Sequence, residues 1–168
     1  MNPRINTLVS AIIAFAATSA QAANITIMPA GDSITRGFSG QESFREELDT
    51  RLAAAGCTFI SRGPVTSFGY QGAGGHAGYS GHRADGFING QGNPNNPNPD
   101  LFNPGIGPLL DADFATNGNY PEVVLLNVGT NDIILGVENN HTQMDTVDDT
   151  LEDIADLITI IPRQRSKD

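Results

Sequence analysis

Basic residues are scarce in this chain of 168 residues: nine Lys and Arg stand against nineteen Asp and Glu, a formal net charge of −10. That imbalance leaves no electrostatic footprint for nucleic acid and no polybasic patch for anionic lipid. Cysteine occurs once, at Cys57, so neither an internal disulfide nor a cysteine-based zinc site can be built. Placed before Thr58-Phe59-Ile60, that thiol is expected to be buried in a strand. No apolar run is long enough to span a bilayer; the longest, Leu8 to Ala17, falls well short. A Gly-x-x-x-x-Gly-Lys phosphate loop is missing, and so is the Gly-x-Ser-x-Gly nucleophile elbow. An EF-hand fails at Asp111-Ala112-Asp113-Phe114-Ala115-Thr116, where Ala115 and Thr116 fill the fifth and sixth positions.

What is present begins with an export signal. Arg4, the apolar stretch and the exit Ala20-Gln21-Ala22 have the layout of a secretory signal peptide over 1–22. Cleavage there leaves 146 residues, 23–168, and removal of Arg4 takes the net charge to −11. The expected location is outside the cytoplasm, extracellular or periplasmic. One domain fits in that length, with a core that removes roughly two thirds of the unfolded surface from water.

The organisation alternates. Ile25-Thr26-Ile27-Met28 reads as a short strand ended by Pro29 and Gly31. From Glu42 to Ala55, Phe44, Leu48, Leu52 and Ala55 recur at helical spacing, and Gly56 follows as a stop. Thr58-Phe59-Ile60 is a second strand. A glycine-rich stretch, 69–86, and an Asn/Pro loop, 93–99, come next. Val123 to Val128 is nearly continuous apolar, the pattern of a parallel strand covered by helices on both faces. Met144 to Ile161 reads as a helix burying Val147, Leu151, Ile154, Ala155 and Ile158. The acids Asp145, Asp148, Asp149, Glu152, Asp153 and Asp156 form its solvated face. Strands alternating with helices predict an open parallel α/β sheet, with chemistry in loops at the carboxyl ends of the strands.

Three such loops stand out. Gly31-Asp32-Ser33-Ile34-Thr35-Arg36-Gly37 puts a serine on a tight turn after the first strand, a place for a nucleophile. Gly75-His76-Ala77-Gly78-Tyr79 and Gly129-Thr130-Asn131-Asp132 add backbone N–H groups and an Asn amide able to stabilise an oxyanion. Each alone is ordinary turn chemistry.

Together, Ile27 to Thr35, Gly75 to Tyr79 and Gly129 to Asp132 resemble the first three blocks of the SGNH (GDSL) hydrolases. The likeness is greatest to the secreted carbohydrate esterases of family three, the acetylxylan-esterase type, and runs from about Asn24 to Ile161. It implies a flavodoxin-like three-layer α/β/α fold and metal-free hydrolysis of small acyl esters on carbohydrate. Carried over by position, Ser33 resembles the nucleophile, Gly78 the backbone oxyanion donor and Asn131 the side-chain oxyanion donor. Asp32 and Asp132 match block positions that are more often structural.

The sequence departs from the family in one place. The family's base is a histidine in a late Asp-x-x-His block, and none of His76, His82 and His141 has an Asp three residues before it. His82 is expected at the surface or the cleft rim, and His141 in a surface loop. The resemblance therefore implies that 23–168 carries the N-terminal two thirds of such a domain. The strand 123–128, central in the order 2-1-3-4-5, is then left as a bare edge of the kind natural proteins avoid. Two functions stay open: an esterase acting on acylated carbohydrate or another small ester, and an exported protein that binds carbohydrate without turnover.

Overall fold

The computed structural model describes residues 23–37, 43–66, 75–92, 102–138 and 143–165. The signal-peptide reading, the Asn/Pro loop at 93–99 and His141 lie outside the described residues.

Strand β1 (Ala23–Gly31) organises the sheet. It pairs in parallel with β2 (Cys57–Ser61), β3 (Ala77–Gly78) and β6 (Val123–Asn127). Ala30 and Gly31 have partners in both β3 and β6, so these two strands lie on opposite sides of β1. β2 follows the β3 side further back, from Ala23 to Ile27. The expected parallel sheet with the first strand inside is thus observed, and residues 27–30 are buried.

The strand runs through Pro29 and ends at Gly31, the second of the two stops expected from sequence. In a parallel strand the N–H and C=O of one residue point to the same side, and successive residues alternate. The carbonyls of Ile27 and Gly31 accept from Arg62 and Tyr79, while Asp32 N–H reaches Asn127 on the other side. Pro29 therefore faces the gap between the end of β2 at Ser61 and the start of β3 at Ala77. No ladder bond is needed there, and the missing N–H is not felt.

Helix α1 (Ser33–Arg36) is a single turn, and α2 (Phe44–Ala54) is capped by Ser43, whose Oγ accepts from Arg45 N–H. Glu46 and Glu47 at its start and Arg51 at its end complement the helix dipole. Then come α3 (Ala84–Asn89), the antiparallel pair β4 (Gln91–Gly92) and β5 (Phe102–Asn103), α4 (Ile106–Asn117), α5 (Thr130–Glu138) and α6 (Gln143–Arg165). Helices α3, α4 and α5 all pack on α6. The core joins Met28 and Ala30 of the sheet to Tyr79, Phe87, Ile106, Leu109, Leu110 and Leu157.

Three expectations are corrected. Cys57 is only half-buried, because it opens β2 where the pairing begins. Helix α6 turns Thr146, Thr150 and Leu157 inward, while Val147, Leu151 and Ile158 stay exposed, Leu151 and Ile158 by more than half. Thr150 can be buried because its hydroxyl donates to the Thr146 carbonyl. Strand β6 is half-exposed rather than covered on both faces, with Val123 the most open. Among the described residues no helix is long and apolar enough to cross a membrane.

Candidate active site

The three loops meet around the end of β1. Gly31 is in register with Gly78 on one side and Asn127 on the other. Tyr79 N–H donates to its carbonyl at 2.8 Å, and Asp32 N–H donates to the Asn127 carbonyl at 3.2 Å. A Cβ on Gly31 would collide with that same Asn127 oxygen, so only glycine lets the two strands close here.

Asp32 is fully buried, and its Oδ1 accepts from Ile34 N–H at 2.9 Å, capping α1. Burial raises its carboxyl above the ordinary range, against the opposing Ile34 amide and Thr130 hydroxyl. The cap holds Ser33 as the first residue of α1, half-buried, at the carboxyl end of the sheet.

Gly78 lies so close to α1 that a Cβ would collide with the Arg36 backbone. Its N–H donates to His76 Nδ1 at 3.0 Å, so the amide already has an acceptor that an oxyanion must share or displace. His76 itself is buried, its backbone paired with Val65.

Asn131 sits in the first turn of α5, and its Nδ2 donates to the His82 carbonyl at 2.9 Å. Asp132 takes the Ala84 N–H on both carboxylate oxygens, each at 3.0 Å. Burial raises the Asp132 carboxyl, the Ala84 amide opposing and Asp85 adding to it.

His82 is 5% exposed, which corrects the expectation of a surface or rim position. Its ring stacks on Tyr79 with centroids 5.3 Å apart and planes 11° from parallel. Burial lowers its pKa, and its Nδ1 has no partner among the described residues. The Gly-His-Arg context reads as an exposed turn; the aromatic three residues earlier is the signal for burial. Ser80, which is not among the residues expected at the site, accepts on its Oγ from Arg36 Nη1 at 3.0 Å and ties the second loop to α1.

A cavity of about 350 Å³ lies elsewhere, under the end of β2. Its polar groups satisfy one another: Arg62 pairs with Asp113 at 2.8 Å, and Ser61 Oγ donates to the Gly75 carbonyl. Among the described residues no three His, Cys, Asp or Glu side chains gather closely enough to hold a metal ion.

The comparisons with known proteins agree with this architecture. A solved family 3 carbohydrate esterase from Clostridium thermocellum superposes with a TM-score of 0.50 at 26% identity, covering 84% of this chain and 70% of that one. A multidomain esterase from Ruminococcus flavefaciens is 32% identical over 128 residues, which is 70% of this chain. The chain spans only 16% of that relative's length. The profile described as GDSL-like Lipase/Acylhydrolase matches residues 27–165, and the chain belongs to that family.

Proposed function

We propose that this chain is an exported serine esterase domain that removes acyl groups, acetyl foremost, from carbohydrate. The observation that carries the reading is the double pairing of Gly31. It brings the Ser33 turn, the Gly78 strand and the Asn131 helix to one end of the sheet. The similarity to a carbohydrate esterase supports the substrate class.

In this reading Ser33 Oγ attacks the acyl carbonyl and gives its proton to a base. The Gly78 N–H and the Asn131 amide stabilise the oxyanion that forms. Collapse breaks the bond to the sugar oxygen, which leaves with the proton from the base. Water then cleaves the acyl-serine, releasing the acid and restoring Ser33. The family resemblance assigns the base to a histidine of an Asp-x-x-His segment, and these 168 residues contain none.

His76 is occupied by Gly78, and the His82 ring is buried against Tyr79. That arrangement also favours the second reading, carbohydrate binding without turnover. Loss of the base typically costs roughly 10⁶-fold, leaving about 10³–10⁴ over water. The 168 residues alone are therefore expected to hydrolyse an activated acetyl ester barely above background. Joined to a downstream Asp-x-x-His segment they become active, and Ser33→Ala abolishes that activity. Turnover by the extended chain that survives Ser33→Ala removes the esterase assignment. Export is checked by N-terminal sequencing of secreted material, which should begin at Ala23.

A further inference from the structure

Asn131 and Asp132 are neighbours in the first turn of α5, and both bind the same short segment, 82–84. A backbone carbonyl has no proton to give, so the Asn131 amide must turn its NH₂ towards His82. One of its two N–H bonds is used there, and the other has no partner among the described residues. The direction of that second N–H follows from where the His82 carbonyl stands.

The His82 carbonyl is held in turn by the start of α3. Arg83, at the N-cap of that helix, makes no side-chain cap bond. The Asp132 carboxylate takes the Ala84 N–H instead, a cap supplied from another helix. The 79–84 segment is thus tied to the Ser33 turn by Tyr79 and Ser80, and to α5 by His82 and Ala84.

We propose that Asp132 is a positioning residue for the Asn131 donor: its carboxylate locks segment 82–84, and the His82 carbonyl so fixed aims the free Asn131 N–H. The proposal rests on the reading of Asn131 as an oxyanion donor. Among the described residues three charged groups face Asp132. Asp85 and Asp153 are acidic neighbours, and Arg83 is ion-paired with Asp85 at 2.7 Å. With burial added, Asp132 takes up a proton at higher pH than an exposed aspartate, and the charge-assisted bond to Ala84 weakens with it.

The side-chain amide of Asn131 reports the lock directly. In a ¹⁵N-labelled sample of this chain its NH₂ pair is identified by its loss in Asn131→Ala. The two protons should be well separated, one bonded and one free. Asp132→Ala should collapse that separation, while Asp132→Asn, which keeps a cap oxygen, should preserve most of it. In the unmodified chain the pair should shift on acidification with a midpoint above that of exposed aspartates. In the extended, active chain, Asp132→Ala should lower kcat about 10²-fold with KM unchanged, comparable to losing one oxyanion donor, and Asp132→Asn should restore most of it. An Asn131 pair unmoved both by Asp132→Ala with an intact backbone spectrum and by the titration overturns the proposal. Asn131→Ala that leaves turnover unchanged instead removes Asn131 from the reaction, without touching the coupling seen in the spectrum.

Discussion

The end of β1 is held differently from strand β6 and the outer face of α6. Around Gly31 the polar contacts are directional, with Asp32 on Ile34, Tyr79 on Gly31, Asn131 on His82 and Asp132 on Ala84, although Thr35 Oγ1 and His82 Nδ1 are buried there without a partner among the described residues. On β6 and on α6, Val123, Val147, Leu151 and Ile158 stand open to solvent. The first region is specified by directional bonds between segments far apart in sequence. The second has apolar surface of the same quality as the core and no partner among the described residues. Directional bonds set the geometry where the chemistry is proposed, while large apolar side chains stand open both there, at Ile34, Ile133 and Ile134, and on α6.

The largest expected effect tests the tightness of the first region. Gly31→Ala places a methyl group against the Asn127 carbonyl and must separate β1 from β6. A loss of roughly 3 kcal/mol or more is expected, read as a lower midpoint in urea unfolding; a midpoint unchanged from the parent would show that the strands can part freely.

Two leucines six residues apart on α6 sharpen the contrast. Leu157 is fully buried and Leu151 is 58% exposed. Leu157→Ala should cost about 2–5 kcal/mol. Leu151→Ser should stay within about 0.5 kcal/mol and raise solubility by shrinking the open stripe. Equal losses in thermal melts would mean that the two faces of α6 are not distinct.

The smallest effect separates charge from packing at His82. Its folded pKa lies below the ordinary 6.5, so below that pH the unfolded chain binds the proton more readily and folding loses stability as pH falls. The buried carboxyls of Asp32 and Asp132 work in the other direction, since their raised values favour the folded state as they protonate. His82→Phe keeps a ring on Tyr79 and removes the titration. Melting temperature followed between pH 7.5 and pH 5 should fall less in the variant than in the parent; parallel curves would place the acid sensitivity elsewhere.

The sequence made the site region legible because its cues are local. Gly-Asp-Ser after a β-prone run, and Asn-Asp after a continuous apolar strand, each mark a strand end whatever the rest of the chain does. Elsewhere tertiary context decided. Helix α4 is not legible in the sequence because Gly105-Ile106-Gly107-Pro108 has the composition of a loop. Pro108 is tolerated there because N–H groups in the first helical turn have no intrahelical acceptor. The inward face of α6 is not legible because two of its buried positions, Thr146 and Thr150, are polar, while Val147, Leu151 and Ile158 keep an apolar helical spacing on the exposed side. Choosing between the two sides needs the position of β1 and α4, which periodicity does not carry.

Strand β1 has one more consequence, for the order in which the molecule comes together. It is the first described strand in the chain and the one on which β2, β3 and β6 are all hung. Thr26 meets Glu122 across a separation of 96 residues, through the Thr26 N–H and hydroxyl on the Glu122 carboxylate. Closing a loop of that length must come before the contacts that reward it, and parallel pairing offers no hairpin as a local start. Pairing of β6 with a strand made long before it is therefore the expected slow step of folding. Until they meet, one side of β1 is an unpaired apolar edge, open to any other strand that arrives first.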